Sequence, residues 1–143
     1  MTEHLAQIKA LYRRWFDDVV SRGDLAAADE ILAHDYRLHF PGMPGPVDRD
    51  GHLRLLGMFR SGFPDWVEDV EDIIAENDRV VARVVGRGTH LGDFQGISPT
   101  GRRVSATGIG IGRAVDGKIV ESWAAYDALG LLQQLQAQDQ VTA

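Results

Sequence analysis

Apolar residues recur at helical spacing from the start of the chain. Leu5, Ile8, Leu11, Tyr12, Trp15, Phe16 and Val19 predict an amphipathic helix over residues 3–21, with Arg13, Arg14, Asp17 and Asp18 on its other side. Gly23 ends it, and Asp24 is a good N-cap for a shorter helix through Leu25, Ala28, Ile31 and Leu32. Residues 35–40 alternate as a strand that Pro41 stops, and the Pro- and Gly-rich residues 41–46 form a loop. A third helix is predicted over 49–61, with Leu53, Leu56, Met58 and Phe59 as its apolar members, and Phe63-Pro64-Asp65 breaks it. The pattern then becomes strand-like: 66–75, a turn at Glu76-Asn77-Asp78, 79–90, and a hairpin over 104–127. Residues 128–138 close the chain as a helix. Strands grouped after helices, rather than alternating with them, predict an α+β domain spanning 1–143 with a mainly antiparallel sheet. Strong bending of that sheet under the N-terminal helices would enclose a deep pocket.

The hairpin is unusual. Asp116-Gly117 supplies its tight turn. In the strand before the turn, Ala106, Gly108, Gly110 and Gly112 occupy every second position, so one face is almost without side chains. A sharply bent sheet, a closely packed backbone, or room for a ligand would each explain such a stripe. We take room for a ligand as the leading reading, with bending contributing.

Composition narrows the function classes. The chain has 143 residues, 44% hydrophobic and 25% charged, as expected for one globular domain. A net charge of −6 argues against nucleic acid or anionic membrane as a partner. No apolar run reaches a membrane span and the N-terminus does not read as a signal peptide, so a cytoplasmic location is expected. Zero cysteines remove disulfides and thiolate chemistry, and the five histidines have no metal-ligand spacing. No metal is therefore expected.

Several segments carry a family resemblance: Gly23-Asp24-Leu25, Asp35-Tyr36 with His39, Phe63-Pro64-Asp65, Arg87 to His90, Gly96 to Arg102, and Asp116 to Glu121 with Trp123. Asp127 followed by Leu129 to Leu135 completes them. Together they resemble the SnoaL-like polyketide cyclases, in the superfamily that shares the nuclear transport factor 2 and ketosteroid isomerase fold. The resemblance implies a cone-like α+β barrel with a deep apolar pocket, a homodimer, a small apolar metabolite as partner and no cofactor. Cyclases of this family use an aspartate on the last strand with glutamine and histidine partners. Alignment on Asp116-Gly117-Lys118-Ile119 puts these at Ala124, Gly108 and Gly110, so all three are replaced. Family geometry also favours a bulge at Gly117 that sets Gly108 opposite Ala124 and Gly110 opposite Ser122. Ala106, Gly108, Gly110, Gly112, Val120, Ser122, Ala124 and Tyr126 would then share the pocket face.

Other groups must carry any acid/base work. His39 has the intrinsic pKa for proton transfer near neutrality. Asp127 sits where the last strand meets the last helix, as either a pocket acid or an N-cap. Tyr126 is the candidate donor to a carbonyl. Trp15, Phe59, Phe63 and Trp66, with Gly108, Gly110 and Ala124, are the expected substrate-binding wall. His90 reads as structural, Arg83 as paired with the acidic strand, and Glu68 to Asp72 as a solvated strand face. The expectation is a cyclase or isomerase acting on a bulky carbonyl-bearing metabolite such as a polyketide. The alternative is a binding module without catalytic groups.

Overall fold

The computed structural model describes residues 2–137. Helix α1, Thr2–Arg14, buries Ile8 and Tyr12, and the chain continues as a π-helical segment, Trp15–Ser21, that buries Trp15, Phe16, Val19 and Val20. The wider turn closes with the Arg22 amide donating to the Asp17 carbonyl. Asp24 accepts from the Ala27 amide, starting the short turn Leu25–Ala27 and helix α2, Ala28–Ile31. Strand β1, Leu32–His39, begins earlier than its alternation suggested. A two-residue strand β2, Val47–Asp48, lies between the expected loop and the expected helix, where no strand was expected. Asp48 caps α3, Arg49–Gly62, by accepting from the Gly51 amide. Strands β3 (Val67–Glu76), β4 (Arg79–Thr89), β5 (Arg103–Val115) and β6 (Lys118–Tyr126) follow, and α4, Ala128–Gln136, closes the described chain. Gln138, the last residue of the predicted helix, lies outside the described residues. No described helix is long and apolar enough to cross a membrane.

The six strands form one curled, unclosed sheet in the order β2-β1-β6-β5-β4-β3. All pairings are antiparallel except β1 with β6, which run parallel, joined by the long crossover that contains β2, α3 and β3 to β5. The core lies between the concave sheet face and α1, α3 and the π-helical segment, with Val19, Ala28, Ile31, Phe63, Val80, Ala82, Ile119 and Leu131 fully buried. This is the expected α+β architecture.

The hairpin register differs from the expected one. Asp116 and Gly117 both take positive φ, at 50° and 79°, and the turn pairs Val115 with Lys118 and Ala114 with Ile119. The extra residue sits in β6 at Val120 rather than in the turn, so Gly108 pairs Tyr126, Gly110 pairs Ala124 and Gly112 pairs Ser122. Moving the irregularity across the hairpin leaves the inward parity of these six residues intact. Val120 is the bulged residue, and Ile119, fully buried, reaches the Gly112 position in its place.

The glycine stripe is also occupied more than expected. The Tyr12 ring lies on Gly110 and Gly112, where an added Cβ would run into the Tyr12 hydroxyl and ring edge. Gly86 and Gly88 receive Trp66 in the same way. Small residues here make room first for aromatic rings of the protein itself.

Candidate functional site

The curled sheet and the helices enclose a cavity of about 610 Å³, a size suited to a drug-like or multi-ring molecule. Its wall is mainly aromatic and aliphatic. Trp15 and Phe16 come from the π-helical segment, Leu55, Leu56 and Phe59 from α3, and Gly108, Gly110, Ala124 and Tyr126 from the hairpin.

One polar group is built on β1, β6 and α3. Alternation along β1, continued one residue beyond its end, turns Tyr36, Leu38 and Phe40 inward. Helical spacing puts His52 on the same side of α3 as Leu56 and Phe59. The Tyr36 hydroxyl and His52 Nδ1 are 3.0 Å apart and share a hydrogen bond. The two rings stack at 5.8 Å, and Trp15 covers the imidazole from another direction at 4.8 Å. Ser122, buried on β6, lies beside the Tyr36 hydroxyl. Burial pushes the His52 pKa down to about 4, which keeps the ring neutral at physiological pH, and pushes the Tyr36 phenol up. Nδ1 is engaged by Tyr36, while Nε2 has no protein partner among the described residues.

A second polar group lines the cavity from β3. Glu68 Oε1 accepts from Trp66 Nε1 at 3.2 Å, and burial raises the carboxyl pKa against the opposing effect of that bond. Between the two groups, the Tyr12 phenol is held far up by burial and raised further by Tyr36 and then Glu68.

The residues expected to form the site are distributed on both sides of the wall. Tyr126 lines the cavity half-buried, its phenol pKa raised by burial. Trp15, Phe59, Trp66, Gly108, Gly110 and Ala124 line it too. Phe63 does not, being fully buried behind the wall against Phe59, Trp66, Phe94 and His90. His39 has the opposite strand parity from Tyr36 and Leu38 and is not part of the cavity wall. Its Nε2 meets Glu121 Oε2 at 2.7 Å, and its ring stacks on Trp123 at 5.2 Å. Asp127 caps α4, accepting from the Gly130 amide at 2.9 Å, and is exposed. His39 and Asp127 therefore do not meet in a common cavity. His90 is fully buried, its Nδ1 accepting from the Thr100 amide at 3.2 Å and its Nε2 without a partner among the described residues. Arg83 pairs with Asp72 at 2.7 Å on the exposed side of β3 and β4.

His52 and Glu68 were missed, although both carry a signal. His52, Leu56 and Phe59 share helical spacing, and Glu68 shares strand parity with Trp66 and Val70. Among the described residues no group of three or more His, Asp or Glu side chains is arranged to hold a metal ion.

Comparison with known proteins places this geometry. The family model for SnoaL-like polyketide cyclases matches residues 10–135. AclR, a candidate hydroxylase from Streptomyces galilaeus, has a solved structure that is 33% identical. It superposes with a TM-score of 0.84 over 92% of this chain and 96% of its own. IdmH, a candidate polyketide cyclase from Streptomyces antibioticus, is 34% identical, with a TM-score of 0.82 over 90% of this chain and 97% of its own. A SnoaL-like protein from Jannaschia shares the fold at 23% identity, with a TM-score of 0.85 over 94% of each chain. No curated protein gives a significant match. With a family match over residues 10–135 and relatives superposing along nearly their whole length, the chain belongs to the SnoaL-like polyketide cyclase family.

Proposed function

We propose that the protein is a cyclase or isomerase acting on a bulky, mostly apolar, carbonyl-bearing metabolite of polyketide type, with acid/base work carried by Tyr36, His52 and Ser122. The observation that carries this reading is the convergence of two hydroxyls and a neutral imidazole in one corner of an otherwise apolar cavity. A substrate carbonyl oxygen takes a hydrogen bond from the Tyr36–Ser122 pair. His52, neutral because it is buried, removes the adjacent carbon-bound proton at Nε2, and the electron pair passes to the carbonyl oxygen as an enolate. The enolate carbon attacks a second carbonyl, forming the new bond, and the imidazolium returns its proton to the resulting alkoxide. A pKa of about 4 makes His52 a weak base and a strong acid once protonated. Enolate stabilisation by the hydroxyls therefore has to supply much of the driving force. Tyr126, farther along β6 from Ser122, is a further donor to an oxygen of the same substrate.

A second reading is a binding module that shapes a reactive substrate without proton transfer. It is favoured by Gly108, Gly110 and Ala124, which leave the cavity without an acid on the hairpin. Turnover of a polycyclic aromatic β-keto ester, followed by chromatography, separates the two. In the catalytic reading, Tyr36→Phe and His52→Gln each slow ring closure while binding and the melting temperature hold. Unchanged rates in both variants leave the binding module.

A further inference from the structure

The Tyr36–His52–Ser122 group occupies one side of the cavity, and nothing in that chemistry uses Glu68. In the sheet order, β6, β5 and β4 stand between β1, which carries Tyr36, and β3, which carries Glu68. Curling brings these parts of the sheet round the same cavity, with Tyr12 between them on the Gly110–Gly112 surface. The surroundings of Glu68 are closely built. Its backbone is fixed by Ser21, whose hydroxyl accepts from the Glu68 amide at 2.9 Å and donates to the Glu68 carbonyl at 3.4 Å. Ser21 ends the π-helical segment, and Arg60 ties that end to the approach to β3. Its guanidinium donates to the carbonyls of Val20 at 2.7 Å, Trp66 at 3.1 Å and Pro64 at 3.1 Å. Trp66, seated on Gly86 and Gly88, then orients one carboxyl oxygen through its indole N–H. The other oxygen, Oε2, has no protein partner among the described residues, on a side chain that lines the cavity.

We propose that Glu68 is a second anchor of the cavity, its carboxyl group hydrogen-bonding an oxygen at the end of the substrate remote from Tyr36. The substrate class follows: a neutral, elongated multi-ring molecule with an oxygen function at each end. Desolvation raises the Glu68 carboxyl pKa, and with Oε1 accepting from Trp66 it is Oε2 that is left to meet the ligand. A ligand hydroxyl, which both donates and accepts, satisfies Oε2 in either protonation state of the carboxyl. A ligand carboxylate would meet a desolvated wall whose cation, Arg60, is already committed to backbone carbonyls. Tyr12 contributes a hydroxyl midway. This inference rests on the proposal that the cavity binds aromatic ketones, and the test keeps the two apart.

The probes are 2-acetylanthracene and 2-acetyl-6-hydroxyanthracene, titrated by their own fluorescence at pH 7. Wild-type protein is expected to bind the hydroxy ketone roughly tenfold more tightly, the ratio that one satisfied buried hydrogen bond gives. Glu68→Leu removes that preference and still binds 2-acetylanthracene, and Glu68→Gln, whose amide oxygen accepts, keeps it. Thermal melting establishes that each variant is folded. Equal affinities in the wild type, or an undiminished preference in Glu68→Leu, overturn the role of Glu68 alone. Failure of the folded wild type to bind either ketone overturns the cavity reading and this inference with it.

Discussion

Two histidines on opposite sides of one wall show how environment, not residue type, assigns a role. His39 ends β1 facing outward, where it pairs with Glu121, stacks on Trp123 and stays partly open to solvent. Arg113 holds the other oxygen of Glu121 at 3.1 Å, and His39 first, then Arg113, keeps that carboxyl below its ordinary range. His52 faces inward between Trp15 and Tyr36, is held neutral by burial, and has one nitrogen engaged and one without a protein partner among the described residues. A partly solvated imidazole hydrogen-bonded to a carboxylate is a surface brace. A desolvated, hydrogen-bonded one beside two hydroxyls has the setting that the proposed acid/base role requires.

The contrast should be plainest in turnover. His52→Gln and Tyr36→Phe are expected to lower kcat for a polycyclic β-keto ester by about 10²-fold, the lower end of what a positioned acid/base group supplies. His39→Gln should stay within about twofold, since its ring makes no part of the cavity wall. Comparable losses at His39 and His52 would erase the distinction between the faces.

Packing on the inner face comes next. Gly110→Val drives a branched side chain into the Tyr12 ring and should cost about 1–3 kcal/mol in denaturant unfolding. The same variant reshapes the cavity and should weaken aromatic ketone binding. Unaltered stability would mean that Tyr12 does not rest on the stripe.

A pH effect sets the buried histidine apart. The folded-state pKa of His52 is about 4, below its ordinary 6.5, so the unfolded chain takes up a proton first as pH falls. Stability carried by the neutral ring is complete above pH 6.5 and is lost as pH drops towards 4. Between pH 7 and 5 the wild type should lose about 2 kcal/mol more than His52→Gln, measured by urea unfolding. Parallel profiles would contradict the burial of a neutral ring.

The smallest change is expected outside. Glu121, with a depressed pKa, contributes stability that is present above its unfolded pKa and is lost as pH falls through the folded value. Glu121→Gln should cost under about 1 kcal/mol at pH 7, flatten the acid limb and leave turnover alone. A large loss of turnover would bring the outer face into the site.

The architecture was legible because its periodicities are long and clean. The helical spacing from Leu5 to Val19, the successive strands and the Asp116-Gly117 turn all lead to the curled sheet. What escaped were features set by tertiary pairing. The β6 bulge at Val120 and the two-residue β2 have almost no local signature. The site was partly legible for the same reason. Aromatic wall residues and Tyr126 follow the periodicity, but His39 was favoured for its chemistry although Tyr36, Leu38 and Phe40 already fix its parity as outward. Glu68 was hidden among exposed acids, because only alternation with Trp66 and Val70 separates it from Asp69. The glycine stripe has two causes, since Gly108 and Gly110 line the cavity while Tyr12 lies over Gly110 and Gly112. Its bareness is real, but Tyr12 takes up part of it before any ligand does.

Long-range proton–nitrogen NMR of the histidine rings, during a titration with 2-acetylanthracene, tests the central claim most directly. His52 should remain neutral to below pH 5 and shift on ligand addition, while the His39 signals do not respond to the ligand. A His52 ring that protonates near pH 6.5 and ignores the ligand, beside a responding His39, would contradict it.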